Sequence, residues 1–156
     1  MTVMAAFVVT TLHLAYAADS NEAKPSANWW LVHYEPLESL KAVPASVLKE
    51  LSLKIPDDPR LADRNEPFNA TDVVDPTLPR RRFTFGGTSP QFVIVCYEHG
   101  GRGRHHHVTV FAMTDEKPQL IFIGRYAQKV QAIDDIKYLV RKGIMKNEIE
   151  DTHKEF

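Results

Sequence analysis

Cysteine is nearly absent from this sequence: among 156 residues only Cys96 carries a thiol. One cysteine excludes any disulfide within the chain, so packing alone must stabilise the fold. No uninterrupted apolar run reaches the roughly 20 residues that a membrane-crossing helix requires. The sequence also lacks repeats and low-complexity blocks, which leaves a single compact domain as the expectation. An excess of one charge is missing too, since 19 Lys and Arg face 20 Asp and Glu. So neutral a total is a poor footprint for nucleic acid, which is therefore set aside as a partner.

What is present begins at the N-terminus. Residues 3–17 contain no Asp, Glu, Lys or Arg and end in Ala15-Tyr16-Ala17, after which Asp19 and Ser20 turn the chain polar. Small side chains three residues and one residue before the cut fit the shallow pockets of a signal peptidase. Residues 1–17 are therefore expected to be a cleavable signal, with the mature protein starting near Ala18. This makes the protein exported: periplasmic in a bacterium, secreted in a eukaryote, and without stable membrane insertion after cleavage. Residues 18–28 read as a flexible linker, residues 29–147 as one globular domain, and residues 148–156 as a polar tail.

Charge is unevenly placed along this chain. Residues 18–79 hold 6 Lys or Arg against 11 Asp or Glu, whereas residues 80–146 hold 12 against 5. The simplest reading is that these halves face each other within the fold.

The aromatic run from Trp29 to Tyr34 suits a strand or a core anchor. Pro36 fits the first turn of a helix over roughly residues 37–53, whose Leu37, Leu40, Val43, Val47, Leu48 and Leu51 recur at helical spacing. The alternative is that Pro44 interrupts it, leaving a short first turn and a helix over residues 45–53. Residues 55–82 are broken by Pro56, Pro59, Pro67, Pro76 and Pro79. A loop this long in a small domain is either functional or partly disordered. It carries the glycosylation tripeptide Asn69-Ala70-Thr71, which has meaning only in a eukaryotic secretory route. Four β-rich runs follow, at residues 83–85, 91–98, 104–113 and 119–126, separated by turn-forming segments. Helical spacing returns at Val130, Ile133, Ile136 and Val140, with Gly143 as the stop. The fold class is α+β: an antiparallel four- or five-stranded meander packed against an N-terminal and a C-terminal helix, both on one face. The runs at residues 92–97 and 120–123 are apolar at every position, so part of the sheet must be covered on both sides.

The chemically densest stretch runs from Cys96 to His107. A hairpin turning between Gly101 and Arg102 sets Glu98 opposite His105 and Cys96 opposite His107. Those four side chains then share one face. Two imidazoles with a carboxylate and a thiol form a donor set for Zn²⁺ or Cu²⁺, so Glu98, His105 and His107 are the candidate metal ligands. A Cys beside a His is also a candidate nucleophile. Both ideas depend on register, because a slip of one residue sends every side chain to the other face. Arg102 and Arg104 on the hairpin are the candidate partner-binding residues. The glycines at positions 100, 101 and 103 do not make a phosphate-binding loop, since no helix follows them.

Cys96 itself is expected to be a buried, inert thiol, and no complete catalytic set or required cofactor emerges. The expectation is an exported, non-enzymatic protein that binds another protein, for example as an inhibitor or immunity-type partner. The rival expectation is a metal-binding or histidine-dependent hydrolase or nuclease built on the hairpin.

Overall fold

The structure, a computed structural model, describes residues 28–55, 58–115, 117–126 and 130–149. The expected signal, residues 1–17, and all but the last residue of the linker lie outside them. Five strands form one antiparallel sheet in the order β1-β2-β3-β4-β5: β1 Glu35–Leu37, β2 Arg81–Thr88, β3 Phe92–His99, β4 His105–Ala112 and β5 Gln119–Tyr126. Every strand pairs with its neighbour in sequence, so the sheet is a meander without crossovers.

Two helices flank this sheet. Helix α1 spans Ala45–Leu53 and α2 spans Ile133–Arg141. Pro44 directly precedes α1, where its fixed φ and missing N–H suit the start of a helix and exclude an earlier one. The chain before it instead forms a short 3-10 turn at Leu40–Ala42 and strand β1. Trp29 anchors the entry to the domain as a buried residue of a 3-10 turn. At α2, the Asp135 carboxylate accepts hydrogen bonds from the backbone N–H groups of Gln131 and Ala132, tying down the first turn.

The helices do not share a face, and here the sequence expectation needs correction. Strand β3 alternates strictly: Phe92, Ile94 and Cys96 pack with Ile136 and Leu139 of α2, while Val93, Val95 and Tyr97 pack with Val47 and Leu51 of α1. A strand apolar at every position can be satisfied only when both faces are covered, and one helix on each side does this. Each fully buried aliphatic side chain, such as Val47 or Ile136, contributes about 1.5–3 kcal/mol.

Both edges of the sheet are protected. Strand β1 is three residues long and contains Pro36. Along β5, Asn147 accepts from the Ile123 N–H and donates to the Ile121 carbonyl, and the Glu148 N–H donates to the Ile123 carbonyl. Glu148, expected in the polar tail, is therefore tied to the sheet. Short or covered edges oppose strand-to-strand association.

Candidate functional site

The polar residues converge at the end of the sheet where β3 turns into β4. His99 pairs with His105, Glu98 with His106, Tyr97 with His107 and Cys96 with Val108. The connecting loop therefore holds five residues, 100–104, and centres on Arg102. Gly101 and Gly103 both adopt positive φ, 103° and 74°, which allows an odd loop of this shape. The even loop expected from sequence is thus wrong by one residue. That slip moves the donor set apart: Cys96 and Glu98 face α2, and His105 and His107 face the other side.

Glu98, His105 and His107 consequently do not form one site. Among the described residues, no group of three or more His, Cys, Asp and Glu side chains is arranged to hold a metal ion. Glu98 is instead 1 % exposed and lies between two guanidinium groups. Arg104 donates to it from Nε and Nη2 at 3.0 and 2.6 Å, and Arg82 forms a second ion pair from the neighbouring strand. Arg82 also sits 4.4 Å from the centre of the Phe68 ring. The two guanidinium groups offset the cost of burying this carboxylate's charge. Burial pushes the Cys96 thiol far above its ordinary range, so it carries no thiolate. Cys96 is buried, as expected, and stands opposite Val108 rather than His107, so the Cys–His nucleophile has no geometric basis.

Beside Glu98 on this face, the His106 ring stacks on Tyr126 at 5.2 Å and 13°. Burial lowers the His106 pKa, with the nearby Arg104 and His105 acting in the same direction against Glu98.

The opposite face carries a different group. His99, His105 and His107 have ring centres 4.6 to 6.4 Å apart, and His107 stacks on Tyr97 at 4.9 Å. Cross-strand register adds Arg81 next to His99 and Arg125 next to His107. Burial holds the His107 pKa down to about 3, assisted by His105, His99, Arg81 and Arg125. The sequence reading missed His99, Arg81 and Arg125 as members of this group, since they come from three strands and only the register unites them.

The proline-rich loop lies against the same end of the sheet, and it is ordered by specific bonds. Arg60 grips the Asp58 carboxylate with two N–H groups, at 2.8 and 3.0 Å. That hydrogen bonding by Arg60 holds the Asp58 pKa below the ordinary range. Arg60 also donates to the carbonyls of Pro76, Thr77 and Leu78. Asn69 is buried, its Nδ2 donating to the carbonyls of Asp75 and Leu78 while its Oδ1 accepts from the Asp75 N–H. The glycosylation tripeptide is therefore occupied by a structural role, because the nitrogen that would carry a sugar is already bonded twice.

Gly100 joins loop to hairpin. Its N–H donates to the Arg80 carbonyl, and a Cβ placed there would lie 1.7 Å from the Asn69 carbonyl oxygen. Only glycine permits so close an approach. Outward from this joint, Val73 is 82 % exposed and Val74 48 %, beside the Arg102 side chain at 91 %. Arg102 approaches Asp72 at 3.8 Å, a loose contact across the two segments. Of the two arginines expected to bind a partner, Arg102 is exposed with Asp72 at the edge of contact, whereas Arg104 donates two hydrogen bonds to Glu98.

No known protein family, curated protein or solved structure matches this chain.

Proposed function

We propose that this protein is a small exported binding protein, of the inhibitor or immunity type, that engages another protein through the loop-and-hairpin end of its sheet. The observation carrying this reading is Val73, an 82 % exposed aliphatic at the apex of a loop pinned by Asn69, Arg60 and Gly100. An apolar side chain left in water costs free energy, and that cost is recovered when a partner covers it. The ordering entropy that a mobile loop would lose on binding has already been lost in folding. Arg102 beside it supplies a long cationic side chain of the kind enriched at interfaces. The complementary surface is thus apolar at its centre and acidic at its edge.

A photo-crosslinking residue placed at Val73 in cells of the native source tests this reading. One defined adduct is expected, lost when Arg102→Glu is added and absent when the crosslinker stands at Leu53 of α1, another exposed aliphatic residue. Absence of an adduct at position 73, or the same adducts from both positions, defeats the proposal.

A further inference from the structure

The crest of the proline-rich loop combines two properties that flat contact at Val73 does not explain. Its side chains are turned out: residues 71–75 are exposed in succession, and the chain bends over residues 71–73, with Val73 the most exposed of its apolar side chains. Its backbone is open as well. Among the described residues, no hydrogen bond engages an N–H or carbonyl group of residues 70–74.

An open backbone ordinarily belongs to a loose loop, but this crest is clamped at its base. Asn69 stands before it and Asp75 after it. The Asn69 Oδ1 accepts from the Asp75 N–H at 2.7 Å, while its Nδ2 donates to the Asp75 carbonyl at 2.8 Å. Further out, the Asn69 N–H donates to the Pro79 carbonyl, and Arg60 holds the carbonyls of Pro76, Thr77 and Leu78. Asn69 is only 6 % exposed, so water competes little for these bonds. One buried side chain thus ties both feet of a crest whose own peptide groups stay unpaired.

A partner with a flat face reads side chains alone. Unpaired N–H and carbonyl groups on a convex segment suit a partner that adds main-chain hydrogen bonds and seats side chains in pockets. An active-site cleft that receives polypeptide works in this way, and its primary pocket selects one side chain by shape. Val73 is small, apolar and branched, which matches a shallow aliphatic pocket.

We infer that the partner is an endopeptidase of small-aliphatic specificity, whose cleft receives the crest as a substrate-like inhibitor with Val73 in the primary pocket. This rests on the partner-binding reading and narrows it to one class. The clamp separates an inhibitor from a substrate. Hydrolysis of the Val73–Val74 bond adds water across it, leaving a carboxylate on Val73 and an ammonium on Val74. Asn69 and Asp75 lie on opposite sides of that bond, so their hydrogen bonds keep the new ends together. The amine stays in place to re-form the amide with loss of the same water.

Inhibition assays on the purified full chain test this, with pancreatic elastase as the aliphatic-specific enzyme and trypsin as the basic-specific one. The parent protein is expected to inhibit elastase at about 1 µM or below and to leave trypsin active. Val73→Arg, at a site too exposed to disturb the fold, should reverse that preference by about 100-fold or more. Asn69→Ala should bind at first but be cut between Val73 and Val74 about tenfold faster or more, with inhibition fading as mass spectrometry records the cut. Leu53→Arg, at another exposed aliphatic position, should behave as the parent does. If circular dichroism shows Asn69→Ala unfolded, the Val73→Arg arm decides alone. The inference is overturned if the parent does not inhibit elastase by about 10 µM, if Val73→Arg gains no inhibition of trypsin, or if folded Asn69→Ala is cut no faster than the parent. A crosslinked adduct at position 73 alongside any of these results leaves the partner-binding reading standing and removes the endopeptidase.

Discussion

At the scale of single residues, His107 makes stability depend on pH. Its folded-state pKa, about 3, lies well below the ordinary imidazole value. The unfolded chain therefore takes up a proton that the fold refuses as pH falls below about 6.5. The contribution is complete above that value and is lost on acidification, at about 1.4 kcal/mol per pH unit for each such proton. Denaturant titrations at about pH 7 and pH 5 should show a loss of stability that is smaller in His107→Gln. An equal loss in the variant would place the acid sensitivity elsewhere. His106 shares the direction, also through burial, and accounts for part of any remaining slope.

At the scale of elements, Gly100 and Asn69 make the proline-rich loop one body with the β3–β4 hairpin. Gly100→Ala places a methyl group against the Asn69 carbonyl, 1.7 Å away before any adjustment. It should detach the loop while leaving the sheet folded. Limited proteolysis should then cut within residues 69–80 much faster than in the parent protein, with helix and strand content unchanged. Asn69→Ala should do the same by removing three hydrogen bonds, at a cost of about 1–3 kcal/mol for the buried groups left without partners. Wild-type cleavage rates in both variants would show that the bonds do not order the loop. The elements themselves were largely legible in the sequence, since alternation located β3 to β5 within one residue at each end, caught only the middle of β2, and Pro44 marked where α1 starts. Strand β1 was hidden because Leu37 also fits the helical spacing of the residues after it. The site was less legible because register depends on loop length. The glycines at positions 100, 101 and 103 permit either an even or an odd loop, and only the folded chain selects five residues. Asn69 was hidden for another reason, as its partners are backbone groups that sequence does not mark.

At the scale of the whole molecule, the meander leaves two edges, and the protein covers the longer one with its own chain. Asn147 imitates a strand by offering a carbonyl oxygen and an amide N–H to β5. Asn147→Ala should therefore expose an edge and produce stronger concentration-dependent association in sedimentation velocity runs than the parent protein shows. A variant that associates no more than the parent at every concentration would show that Glu148 and Ile149 shield the edge unaided. The meander has a second consequence, in the order of events as the chain folds. Strands β2 to β5 are joined by short connections, so they can zip together locally and quickly. Strand β1 meets β2 only after more than forty intervening residues have closed into a loop, and that closure carries the entropy cost of a long ring. The sheet end bearing the histidines thus forms early, and the ordered loop with Val73 at its apex arrives last. Under the proposed function, a partner gripping Val73 would read the final step of folding, and so would distinguish the finished protein from its precursors.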